Sequence, residues 1–151
     1  MNQIYIILIS MLPVIELKGA IPIAITKYGL PWWQAYCFGV AGSMISAVII
    51  LLLLGVVSEW LSKNFKFFKN FFTWLFNRTR TRHAKKFEVY EEIALLIVSA
   101  IPIPILGGVW TAALVAFIFN VKFYKALIFI FIGTLIAGVI FTLGTLGVIN
   151  I

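Results

Sequence analysis

The stretch LPVIELKGAIPIA, from Leu12 to Ala24, sets Glu16 and Lys18 between two prolines, Pro13 and Pro22, in an otherwise apolar run. A soluble helix would turn such charges to a wet face, and the flanking residues offer almost none. Ionisable side chains at membrane depth cost about 2.5–3.5 kcal/mol each on insertion, so they mark functional positions by default. On one continuous helix, residues two apart point in different directions. Pro13, Gly19 and Pro22 argue against a continuous helix. A turn there would bring both side chains to one polar cavity.

The rest of the chain says what surrounds that turn. Of its 151 residues, 63% are hydrophobic and 11% charged, with a mean hydropathy of +1.10. Apolar runs longer than about 18 residues point to membrane spans, so the chain reads as an all-α integral membrane protein. The N-terminus does not read as a cleavable signal: it lacks a basic start, and Glu16 and Lys18 stand where the apolar region would continue. Cys37 and His83 are the only residues of their kinds. An intrachain disulfide is excluded, and no metal site or other cofactor is expected. With no second buried acid and no histidine–nucleophile pair, the protein is not expected to be an enzyme.

Four apolar segments follow one another. The first, about Ile4 to Ile25, is broken as described; the second, Trp33 to Ser58, has no charge that would interrupt it and no proline. The third, about Ile93 to Asn120, is broken by IPIPILGG at 101–108, and the fourth, about Phe123 to Ile149, is nearly as uniform as the second. Paired interrupted segments in corresponding halves point to an inverted-repeat transporter. The expected architecture is a re-entrant hairpin over about 4–30 with a span over 33–58, then a hairpin over about 93–120 with a span over 123–149. The two repeats cover 1–58 and 93–151 of a single membrane domain. Four ordinary spans with proline kinks are the alternative.

The charge distribution favours the hairpins. Net charge is +7, and eight of the twelve cationic residues lie between Lys63 and Lys86. This basic linker, 59–92, belongs in the cytoplasm by the positive-inside rule. A complete crossing by the third segment would put Lys122 and Lys125 outside, whereas a hairpin keeps them inside. Within the linker, Lys63, Lys66, Lys69, Asn70, Thr73 and Asn77 share roughly 120° of helical arc, with aromatics on the rest. That pattern predicts an interfacial helix over Ser62 to Asn77, its lysines, with Arg78, Arg80 and Arg82, towards lipid phosphates. Membrane lipids are thus the expected anionic partners, and nucleic acid is not. Small residues at helical spacing (Ala35, Gly39, Gly42, Ser43 and Ser46; Gly133, Thr134, Ala137 and Gly138) predict close helix contact.

ELKGAIPIAI at 16–25 resembles the E-L-(R/K)-G-A-I-P signature of the small multidrug export proteins, distant relatives of the DedA (VTT-type) membrane proteins. AIPIPILGGVWTAALVAFIFNV at 100–121 is similar to that family's A-I-P-x-P-G-T-G-A-W-T-G region, although Pro104 and Trp110 stand one residue further apart and P-G-T-G reads P-I-L-G. The resemblance implies a re-entrant-hairpin transporter fold. It makes Glu16, Lys18, Gly19 and Pro22 the motif residues of the first hairpin, and Pro102, Pro104, Gly107, Trp110 and Thr111 those of the second. These are the expected substrate- and proton-binding residues.

Three functions remain open. One is a transporter or flippase, proton-coupled through Glu16, for an amphiphilic anion such as a lipid (polyprenyl) phosphate held by Lys18. Another is a proton-driven exporter of cationic apolar compounds. The third is a non-transporting membrane scaffold. So small a bundle encloses little by itself, and a twofold homodimer is the simplest completion.

Overall fold

The computed structural model describes residues 2–80, 85–101 and 108–149; the side chains of residues 68, 76, 78–80, 85–89 and 91 fall outside that description. The chain is all-helical, with seven helices among the described residues: α1 (Asn2–Met11), α2 (Glu16–Thr26), α3 (Trp32–Asn64), α4 (Lys66–Arg80), α5 (Lys85–Ala100), α6 (Val109–Ile118) and α7 (Phe123–Ile149). Only α3, with 33 residues, and α7, with 27, are long and apolar enough to cross a membrane. At 1.5 Å per residue they measure about 50 and 40 Å, against a hydrocarbon core of about 30 Å. By the same measure α1, α2 and α6 are each only about 15 Å long.

The long helices begin after matching turns. Gly29 (φ 61°) precedes α3 and Asn120 (φ 54°) precedes α7; glycine and asparagine are the residues that enter the left-handed region most cheaply. Pro31 then stands at the N-cap of α3, where its missing N–H costs nothing.

The chain doubles back before each long helix. Gln3 donates to Gln34 at 3.5 Å, Ser10 bonds to the Gly39 carbonyl, and Ser46 donates to the Met11 carbonyl at 3.1 Å, so α1 runs alongside α3 in the same direction. After a break at residues 12–15, α2 returns, with Leu17 and Ile21 against Gly39. In the second half Lys125 pairs with Glu92 at 2.7 Å and Ser99 packs on Gly133, which sets α5 alongside α7. The Gly108 N–H donates to the Val98 carbonyl at 2.9 Å, and α6 returns. The long helices oppose each other: Tyr36 donates to the Leu135 carbonyl at 3.3 Å, while Ala47 and Ile50 pack in one cluster with Ile130.

Small residues permit this proximity, as their spacing predicts. A Cβ on Gly42 would stand 2.5 Å from the Ile7 carbonyl oxygen, and one on Gly138 would stand 2.7 Å from the Tyr36 ring. The buried positions Ala35, Gly39, Gly42, Ser43 and Ser46 of α3 have the same spacing as Ala126, Ile130, Gly133, Thr134 and Ala137 of α7. Leu17, Ala20, Ile21 and Ala24 of α2 match Val109, Ala112, Ala113 and Ala116 of α6 in the same way. Outward, the helices show Ile49, Leu52, Leu53 and Val56 on α3 and Ile132, Ile136, Val139 and Leu143 on α7, an apolar surface of a size that water-soluble monomers rarely expose.

The linker differs in its boundaries from the sequence expectation. Ser62, Lys63 and Asn64 continue α3, and an extended residue, Phe65 (φ −130°, ψ 117°), separates them from α4. An extended residue breaks the helical phase of about 100° per residue, so Lys63 ends one helix while Lys66 and Lys69 belong to the next. Phe72 of α4 packs edge-on against Phe117 of α6, with ring centroids 6.0 Å apart. Pro102, Pro104, Gly107 and Arg82, and the side chains of Arg78 and Arg80, lie outside the described residues.

Candidate functional site

The first break is short. Leu12 N–H donates to the Ile9 carbonyl, ending α1, and Glu16 N–H donates to the Leu12 carbonyl at 2.9 Å. Glu16 itself has a φ of 45°, a left-handed conformation that costs a non-glycine residue on the order of 1–3 kcal/mol. That conformation aims its carboxylate out of α2 and across the bundle. In the first turn of α2, a Cβ on Gly19 would stand 2.5 Å from the Ile15 side chain.

What the carboxylate meets is the start of α6. Its Oε1 accepts the Trp110 N–H at 3.2 Å, and the Val109 N–H also donates to it. These are among the backbone donors that a helix start leaves without an internal partner, and they carry roughly half a positive charge from the helix dipole. Glu16 therefore caps α6 from 94 residues away. Gly108, the residue before α6, has a φ of 115°, and any Cβ there would collide with the Glu16 carboxylate. No other residue type fits that position.

Lys18 completes the group. Its Nζ lies 3.8 Å from Glu16 Oε2, with the side chains 9% and 4% exposed. Buried charges persist only when paired and hydrogen-bonded, and here one carboxylate answers both an ammonium and a helix start. The indole Nε1 of Trp110 is buried without a hydrogen-bond partner among the described residues. Its ring packs beside the cluster of Ala47, Ile50, Val109, Ala112 and Ile130.

The structure thus brings together Glu16, Lys18 and Trp110 of the sequence-derived set. Thr111 follows Trp110 on α6, half-buried. Pro22 stands apart: it lines an apolar groove of about 490 Å³ with Thr26, Ile140, Phe141 and Thr145. Sequence reasoning missed the backbone donors of Val109 and Trp110, because every residue has such a group and only the fold selects which are left over. It also missed the Ser10–Ser43 contact at 2.9 Å and the Glu92–Lys125 pair. No group of three metal-ligating side chains occurs among the described residues.

No curated protein and no solved structure matches the chain. A family match covers residues 16–140, well over half of the sequence, and begins at Glu16. With two helices able to span a bilayer around a buried charged pair, the chain belongs to the family described as "Putative small multi-drug export protein".

Proposed function

We propose that the protein is a proton-coupled transporter or flippase for an amphiphilic anion such as a lipid (polyprenyl) phosphate, with Glu16 as the coupling group and Lys18 as the partner of the anion. The observation that carries this reading is the Glu16 carboxylate holding the start of α6 from the other half of the bundle. Protonating it removes the charge that the Trp110 and Val109 N–H groups and Lys18 face, so that an incoming anion can take its place. Deprotonation restores the cap and expels that anion. The Glu16 carboxylate and the substrate anion thereby compete for one set of donors, so that proton and anion bind together, which is what couples them.

In this reading α1–α2 and α5–α6 are re-entrant hairpins entering from opposite faces, each followed by one span, in an inverted repeat of the DedA type. The matched burial spacings, the left-handed residues at Glu16 and Gly108 and at Gly29 and Asn120, and the opposed directions of α3 and α7 support it. So does helix length, since about 15 Å reaches only half-way through a core of about 30 Å. Irregular backbone at that depth must be enclosed by protein or meet water, and the Glu16 cap meets that need at one tip. The protein is a multi-pass component of the cell membrane with its basic linker in the cytoplasm, and it works as a homodimer.

The family description favours a second reading, proton-driven export of cationic apolar compounds. Against it, the negative charge of Glu16 is already answered by Lys18 and by α6, leaving little to attract a cation. Transport by reconstituted vesicles separates the two. Glu16→Gln should remove the pH dependence of transport and leave a folded protein. Lys18→Gln should weaken polyprenyl-phosphate transport and spare cationic dyes, whereas drug export requires the reverse. A scaffold would lose thermal stability in both variants and transport neither substrate.

A further inference from the structure

The elbow between α3 and α4 forms an open groove of about 720 Å³, lined by Ser58, Glu59, Ser62, Lys63, Lys66 and Lys69 together with Asn64. Three exposed lysines and one glutamate line it, and none of the three lysines has a salt-bridge partner among the described residues. Three cations against one carboxylate leave the groove with a net positive charge, which attracts an anion. The elbow already satisfies part of its own backbone: Asn64 Nδ2 donates to the Trp60 carbonyl at 3.1 Å and the Phe65 N–H to that of Leu61 at 3.0 Å. The unmet demand is therefore for negative charge.

Depth along α3 identifies the source of that charge. Trp33 at one end and Trp60 at the other are both exposed, and at 1.5 Å per residue they stand about 40 Å apart, the thickness of a bilayer with its headgroups. Lys63 lies one turn beyond Trp60, at the level of the lipid phosphates. Phe67, Phe71 and Trp74 on α4 are exposed apolar side chains, suited to the acyl boundary.

We infer that the α3–α4 elbow is a binding site for the phosphodiester of an anionic phospholipid, held by Lys63, Lys66 and Lys69. Glu59 offsets one of the three cationic charges and so weakens the hold on the phosphodiester without cancelling it. The site lies at the end of α3 remote from the Glu16–Lys18 pair, and its occupancy does not depend on what that pair transports.

The test uses the whole protein in neutral detergent, titrated with phosphatidylglycerol, phosphatidylcholine or inorganic phosphate. Melting temperature and lipid retention in native mass spectrometry are the readouts. Phosphatidylglycerol should raise the melting temperature by several degrees and remain bound, with little effect from the other two. Lys63→Gln/Lys66→Gln/Lys69→Gln should lose most of that retention, roughly tenfold or more, while Lys63→Arg/Lys66→Arg/Lys69→Arg keeps it. A charge-reducing control, Lys27→Gln/Lys122→Gln, should retain lipid as the parent does. Equal stabilisation by phosphatidylcholine, the same response to inorganic phosphate, or equal loss in the control would overturn the assignment. If the triple glutamine variant does not fold, Glu59→Gln decides: retention of phosphatidylglycerol should rise, and unchanged or lower retention refutes the site.

Discussion

The carboxylate of Glu16 occupies the space that a side chain on Gly108 would need. Two chain breaks far apart in sequence thus close on each other, one supplying an anion and the other a bare backbone. The left-handed φ of both residues is the cost of that fit, offset by the capped start of α6.

Gly108→Ala should therefore be among the most damaging single-methyl additions in the protein. Forbidden backbone and loss of the cap together predict a destabilisation of about 2–4 kcal/mol. Adding Glu16→Ala removes the collision but not the backbone strain. The double variant should then melt higher than the sum of the single effects requires, a coupling that a double-mutant cycle measures.

The glycines of α3 divide by what surrounds them. Gly42→Ala sets a methyl against the Ile7 backbone and should cost about 1–3 kcal/mol, whereas Gly55 has open space around it. Gly55→Ala should be neutral or stabilise by up to about 1 kcal/mol through helix propensity. Thermal melts of the two variants check the contrast, and equal losses would contradict the α1–α3 packing.

Trp110→Phe tests the unpartnered indole. The change keeps most of the apolar packing and removes a buried donor whose lack of a partner costs about 1–3 kcal/mol. The variant should melt no lower than the parent. If the donor serves the transported anion, substrate affinity falls while stability holds, and vesicle uptake at several substrate concentrations reads this as a raised KM.

Orientation is open to direct labelling. In a Cys37→Ala background, Lys125→Cys should react with a membrane-impermeant maleimide only from the cytoplasmic face. The Lys125 side chain is 44% exposed, so access is not limiting. Labelling from outside would invert the proposed topology.

The sequence by itself determined the apolar surroundings of this protein, the break at Pro13 and the basic character of its linker, whereas Gly19 and Pro22, read as part of that break, lie inside α2. Each is a local property: composition sums over residues, prolines and glycines act on their own turn, and amphipathic phase is fixed by 3.6-residue periodicity. The motif around Glu16 was legible for the same reason, since two charges in an apolar run are conspicuous in themselves. Tertiary structure alone decided which atoms answer those charges. Glu16 finds the Trp110 N–H across 94 residues only because the matched small residues of α2, α3, α6 and α7 let the helices approach, and nothing local to either segment encodes that distance. The elbow at Phe65 is of the same kind. Periodicity placed the lysines on one predicted helix, but the extended Phe65 divided them between α3 and α4, and the groove lies at that junction.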